Sequence, residues 1–303
     1  MNLHKNKGLF EQIIEIVAEE KGINAAIIEK DYFVTYILKE LVARESAIIF
    51  KGGTSLSKCY KLIERFSEDI DLNYDNGIEK TTEGMRKKFT QTVIETIENC
   101  GMELCNQGEI RSRGEFNKFV INYNSEYTTG LLKAHLIVET AMLIRSFPTE
   151  NMNADCYIYQ YLKKQKLDDV ITQYQLEPFK VKVQTMERTF VEKVFAVCDY
   201  YLNDNSREHS RHLYDLYKLY SKVKMDGNLS ELIERVRKVR SKSKICLSAQ
   251  EGCSVNSILG EIIKKDFYKK DYEENTRDLL FEEASYNVVI ESLWKIIELG
   301  IFS

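Results

Sequence analysis

Fifteen residues separate a glycine pair, Gly52-Gly53, from the triplet Asp69-Ile70-Asp71. Glycines let the backbone turn sharply and bring its N–H groups close to a ligand. Thr54, Ser55, Ser57 and Lys58 follow, supplying hydroxyls and a cation. A helix starting here presents unpaired N–H groups, a phosphate site made by the backbone. In a strand, side chains at i and i+2 share a face. Asp69, Asp71 and Asn73 therefore point one way while Ile70 and Leu72 point to a core. Two carboxylates beside a phosphate cradle suit Mg2+ (or Mn2+), which takes carboxylate and phosphate oxygens together. Two-metal phosphoryl transfer calls for a further carboxylate. Glu139 offers one, in the apolar run Leu136-Ile137-Val138-Glu139 and on a strand face shared with Lys133, His135 and Ile137. A buried glutamate without a partner is costly, and a metal would account for it. The bland alternative is a plain glycine turn followed by a solvated strand end.

These residues need a strand, a turn, a helix and a second strand to hold them. Ser46 to Phe50 is short and apolar, a buried strand; Lys51 to Thr54 reads as the turn and Ser55 to Phe66 as a helix. Glu68 to Tyr74 alternates with period two, the mark of a half-buried strand. Upstream, apolar residues at 10, 13, 14, 17 and 18 predict one helix, and a second runs from Asn24 or Ala25 to Val42. Thr82 to Cys100 reads as a helix, and Phe116 to Asn122 and Leu131 to Met142 read as strands. After Met186 the pattern becomes helical throughout: 186–202, 211–222, 229–240 and 285–299. Both prolines fall in 143–187, where the composition shifts. The fold class is therefore α+β, with a mixed domain over 1–180 and an all-helical domain over 181–303.

The 303 residues are 44% hydrophobic and 30% charged, which excludes collagen, disordered and disulfide-scaffold classes. No stretch approaches the roughly 20 apolar residues of a spanning helix. Seven cysteines, an odd number with no CxxC spacing, predict reduced thiols in a cytoplasmic location and speak against structural zinc. The net charge of −4 is uneven: residues 188–244 carry 13 basic and 8 acidic side chains, a net +5. A basic stretch in an acidic protein points to a polyanion.

The blocks Phe50-Lys51-Gly52-Gly53-Thr54-Ser55-Leu56-Ser57-Lys58 and Ile63-Glu64-Arg65-Phe66-Ser67-Glu68-Asp69-Ile70-Asp71-Leu72 resemble the AbiEii/MenT nucleotidyltransferase toxins, of the DNA polymerase β-like superfamily. Glu29 to Val34, Arg188 to Lys193 and Arg211 to Leu216 match as well, so the resemblance covers most of 25–220. It implies a polymerase β-like nucleotidyltransferase domain with a small mixed sheet, followed by a helical domain. It implies transfer of NMP from an NTP to an acceptor, with tRNA among the known acceptors, and the toxin half of a bacterial type IV toxin–antitoxin (abortive infection) pair with a cognate antitoxin. Carried over, Asp69 and Asp71 bind Mg2+ with Glu139 as third carboxylate. Gly52, Gly53, Thr54, Ser55, Ser57 and Lys58 hold the nucleotide, and Lys193 and Asp215 complete the active site from the second half.

Periodicity alone treats the second-half residues differently. Lys193 lies at the edge of the apolar face Phe190, Val194, Val197, Tyr201, where a lysine snorkels. Arg188, Glu192 and Asp199 read as an exposed salt-bridge stripe, and Asp215 as a solvated partner of Arg211. Arg235, Arg237, Lys238, Arg240, Lys242 and Lys244 form a helix end that is either simply solvated or RNA-facing. Two other functions fit parts of the pattern. Helices 10–20 and 25–42 imitate a helix-turn-helix DNA-binding regulator, although Glu29, Asp31 and Glu40 would repel phosphates. A nucleotide-dependent interaction protein without turnover is the third reading, and the intact Asp-Ile-Asp argues against it.

Overall fold

The computed structural model describes residues 2–67, 69–75, 81–127, 135–142 and 147–302. The chain divides into two compact units, Met1–Tyr60 with Ser67–Val183, and Lys61–Phe66 with Gln184–Ser303. The short segment 61–66 thus joins the second unit although it sits within the first half of the sequence.

The first unit holds a seven-stranded mixed sheet. Its strands are β1 (Ile48–Lys51), β2 (Asp69–Tyr74), β3 (Glu103–Leu104), β4 (Phe116–Asn122), β5 (Leu136–Ala141), β6 (Thr149–Ala154) and β7 (Phe179–Gln184), in the order β3-β4-β5-β2-β1-β7-β6. Helices α1 (Lys7–Lys21), α2 (Ala25–Arg44), α3 (Gly52–Lys58), α4 (Glu83–Asn99), α5 (Tyr157–Lys164) and α6 (Asp168–Gln173) complete it. One sheet face, with Ile70, Leu72, Leu136 and Val138 fully buried, packs into the core that α2 and α4 share. No residue of α2 between 25 and 42 is exposed, and Glu29, Lys30 and Asp31 are buried with the apolar side chains. The helix therefore has no face to offer a DNA groove.

The helix expected over Ser55 to Phe66 is shorter and starts earlier. It spans Gly52–Lys58, and Lys61 then takes a left-handed φ of 52° that a helix cannot continue. Residues 64–66 are extended instead, and their backbone bonds go to 279–281: Phe66 N–H to the Leu279 carbonyl (2.8 Å) and Phe281 N–H to the Glu64 carbonyl (2.8 Å). The strand expected from Leu131 is described from Leu136; Lys133 and Glu68 lie outside the described residues.

The second unit is built on α7 (Met186–Leu202), whose Phe190, Val191, Val194, Phe195, Val197 and Cys198 are fully buried. Around it stand α8 (Arg211–Tyr220), α9 (Gly227–Arg240), α10 (Val255–Lys264), a single turn α11 (Lys269–Asp271) and α12 (Tyr286–Glu298).

Candidate active site

Chemistry-bearing side chains gather in both units. In the first, sheet register builds a charged row. Lys51 of β1 is the antiparallel partner of Asp71, Asp71 is the parallel partner of Glu139, and Glu139 is the antiparallel partner of Lys118. Register partners share a face, so two cations flank two carboxylates, with Asp69 two residues along β2 on the same side. Asp69 and Asp71 are half-buried.

The glycine turn closes on this row. Gly52 has φ 76°, and a Cβ built there would lie 2.0 Å from Asp71 Oδ2, so only glycine fits against the carboxylate. Thr54 Oγ1 donates to the Asp69 carbonyl (2.5 Å) and hydrogen-bonds Ser67 Oγ (2.9 Å), tying α3 to the start of β2. Ser55 Oγ donates to the Gly52 carbonyl (2.9 Å) and braces the turn. Ser57 is half-buried.

In the second unit, Asp215 is fully buried on α8. Arg65 clamps both its oxygens, Nε to Oδ1 at 2.7 Å and Nη2 to Oδ2 at 2.8 Å, and Lys193 Nζ lies 2.7 Å from Oδ2. Burial alone would raise the Asp215 carboxyl, but Arg65 and Lys193 outweigh it and hold the group well below the usual carboxylate range. Burial lowers the Lys193 ammonium, with Asp215 opposing. Both oxygens of Asp215 are engaged, so it acts here by holding Lys193 rather than by exchanging protons. His212 Nδ1 is the second contact of Lys193 Nζ, at 3.1 Å.

The family model described as nucleotidyl transferase AbiEii toxin, type IV TA system, matches residues 36–297. The chain belongs to the AbiEii nucleotidyltransferase toxin family. Among solved structures, it is similar in fold to MenT4, a nucleotidyltransferase toxin from Mycobacterium tuberculosis H37Rv, with a TM-score of 0.50 at 16% identity, covering 93% of this chain and 98% of that one. A search of curated proteins found no match.

Within this AbiEii chain several expected residues have different partners. Lys58 is buried, and its three protons meet the Asp31 carbonyl (3.1 Å), Asp31 Oδ1 (2.6 Å) and Thr35 Oγ1 (2.6 Å). Asp31 Oδ2 in turn accepts from the first N–H of α5, at Tyr157 (2.8 Å). Lys58 is therefore a core ion pair between α2 and α3 in this structure, not a lysine waiting for a triphosphate. Glu29, in the same stretch of α2, accepts from Ser125 Oγ and from the Glu126 N–H (3.0 Å); burial pushes its carboxyl up and these bonds pull it back.

Glu139 is not the buried orphan its apolar run suggests. Its side chain is 30% exposed and its Oε1 lies 3.5 Å from Lys118 Nζ. The reason is cross-strand pairing: β4 places a lysine opposite. Among the described residues no three His, Cys, Asp or Glu side chains cluster closely enough to hold a metal by themselves, so Asp69, Asp71 and Glu139 do not form a closed three-carboxylate site. The donor set that remains, two hard oxygen ligands on one strand face, suits Mg2+, which is commonly held by one or two carboxylates plus waters and substrate phosphates.

The expected exposed stripe on α7 is not exposed either: Arg188 and Asp199 are buried and Glu192 is half-buried. Arg188 pairs with Glu192 (2.8 Å), and Asp199 binds Arg240 (2.5 Å) and the Ser248 N–H (2.7 Å). Asp215, read from periodicity as solvated, is likewise in the core. Of the six basic residues in 235–244, Arg240 is taken by Asp199 and Arg237 by the carbonyls of Cys253 (3.3 Å) and Phe302 (3.2 Å). Arg235, Lys238, Lys242 and Lys244 are exposed. Sequence reasoning missed Arg65 and His212 as site residues. Both lie inside the matching blocks, but nothing local marks their partners, which stand 150 positions away for Arg65 and 19 for His212.

Proposed function

We propose that this AbiEii-family chain transfers a nucleoside monophosphate from an NTP to an acceptor hydroxyl, releasing pyrophosphate, with Mg2+ (or Mn2+) held by Asp69 and Asp71. The observation that carries the reading is the contact between the glycine turn and Asp71, which brings a close-approach backbone and a carboxylate to one spot. When bound, the ion supplies charge neutralisation at the phosphate being transferred and activates the attacking hydroxyl. The chain's own residues do the rest. Gly52 and Gly53 let the turn approach the phosphates, Thr54 and Ser55 hold its shape, and Ser57 supplies a hydroxyl. Lys193 is an orienting cation for phosphate or nucleophile, and Asp215 keeps it in place. Glu139 serves as an outlying carboxylate beside Asp71 rather than as a closed third ligand.

The acceptor in this reading is RNA, tRNA first, supported by the net +5 of residues 188–244 and the four exposed basic side chains within 235–244. The protein acts as the toxin of a bacterial type IV pair in the cytoplasm, opposed by an antitoxin. Among the described residues no helix is long and apolar enough to cross a membrane. Incubation with each radiolabelled NTP, Mg2+ and total bacterial RNA tests the reading. Label on RNA supports it; label on protein alone in RNase-treated extract overturns the RNA acceptor; nucleotide binding without label anywhere favours an interaction protein. Asp69→Asn and Asp71→Asn keep the fold, because both side chains leave the core face of β2, and each loses metal-dependent NTP affinity in calorimetry. Unchanged affinity in both refutes the metal assignment.

A further inference from the structure

Lys193 has two acceptors. Its Nζ lies 2.7 Å from Asp215 Oδ2 and 3.1 Å from His212 Nδ1. Both come from α8, three residues apart and so on one helix face. An ammonium has three protons and no lone pair. The contact with His212 is a hydrogen bond only if Nδ1 is bare, which puts the ring proton of the neutral imidazole on Nε2. A protonated ring would set N–H against N–H at 3.1 Å. The surrounding charges agree. Burial lowers His212 well below the ordinary histidine value, Lys193 of α7 adds to it, and Arg211 of α8 and Arg65 of the 61–66 segment act the same way; Asp215 alone opposes. Two more titratable rings lie beside it, Tyr200 and His209, and His209 is itself lowered by burial and then by Arg211.

The ring is also held in orientation. His212 lies parallel to Tyr200 (centroids 5.7 Å apart, 5° between planes) and to His209 (6.1 Å, 8°), while Tyr200 and His209 stack face to face at 3.5 Å. These neighbours hold the plane of the ring, and within that plane the contact with Lys193 Nζ selects the edge that carries Nδ1.

We propose that His212 is a positioning residue for Lys193: with Asp215 it forms a two-acceptor clamp that stops the ammonium rotating and leaves one N–H to meet a phosphate or nucleophile. The inference rests on the reading of Lys193 as an orienting cation. A carboxylate alone leaves an ammonium free to spin about its Cε–Nζ bond; a second acceptor on a rigid ring removes that freedom. Arg65 anchors the assembly by binding both carboxylate oxygens, sharing Oδ2 with Lys193.

Two variants of the full chain test this. His212→Asn puts an amide oxygen close to the place of Nδ1 and keeps an acceptor; His212→Leu removes it. The expected result is a drop in kcat of roughly 10- to 100-fold for His212→Leu, the cost of one hydrogen bond to a charged group. KM for NTP stays within about threefold, and His212→Asn recovers most of the loss. Turnover by His212→Leu equal to the parent, or His212→Asn as impaired as His212→Leu, overturns the clamp. A second measurement does not depend on activity: 15N-edited NMR of the imidazole at pH 7 reports the tautomer. A proton on Nε2 with bare Nδ1 supports the clamp, and a proton on Nδ1 overturns it. A parent protein that transfers no nucleotide yet shows the Nε2 tautomer refutes the transferase reading and leaves the clamp supported.

Discussion

Gly52→Ala is the most direct perturbation of the junction between the turn and the carboxylate row. The added Cβ would stand 2.0 Å from Asp71 Oδ2, 2.9 Å from its Cγ and 3.2 Å from its Cβ, where ordinary contact begins at 3.4 Å. The carboxylate must therefore shift by about 1.4 Å, the difference between 3.4 and 2.0 Å, or the turn must withdraw from it. The φ of 76° adds a left-handed strain of about 1–2 kcal/mol for a residue with a side chain. Together these imply a melting temperature lower by roughly 2–8 °C for a domain of this size. The functional cost is larger, because a displacement of about 1 Å at a reacting centre lowers rates by roughly 100-fold. Nucleotidyl transfer by Gly52→Ala should fall by about that factor while circular dichroism remains that of the parent. A growth assay at matched protein level reads the same loss as relief of toxicity. Full activity with an unchanged melting temperature would refute the argument that the glycine exists to admit the Asp71 carboxylate.

Lys58→Ala strips the partner from the buried Asp31 carboxylate and should cost about 3–5 kcal/mol of stability, seen as a lowered denaturation midpoint at unchanged slope. NTP affinity of the folded protein should stay near the parent's; a loss of affinity without loss of stability would return Lys58 to the triphosphate. His4, packed against Tyr32, Phe33 and Tyr36, is lowered from 6.5 to about 4 by burial and then by Lys5. Its unfolded form binds a proton first as pH falls, so stability declines through the window from about 6.5 to 4. His4→Phe should flatten that part of the pH–stability curve relative to the parent, and parallel curves would count against it.

The local half of the site was legible in the sequence. The alternation over Asp69 to Tyr74 assigns Asp69 and Asp71 to one face and Ile70 and Leu72 to the core, and the structure keeps that division. The same holds for the strand–glycine–helix order and for the helices after Met186, because period and composition are properties of adjacent residues. What the sequence did not contain is the partner of each charge. Glu139 in its apolar run reads as a carboxylate in need of a metal, until β4 sets Lys118 opposite it. Lys58 reads as a phosphate lysine, until α2 brings Asp31 and Thr35 to it. Asp215 reads as a solvated residue near Arg211, whereas Arg65 from the distant 61–66 segment takes both its oxygens in the core. That segment reads as the end of a helix, whereas in the fold its backbone bonds go to residues 279–281. Periodicity tells which face a side chain occupies. Whether a charge on that face meets water, a metal or an opposite charge depends on segments brought beside it only by tertiary folding, and in a buried setting that partner decides whether the charge is bearable at all.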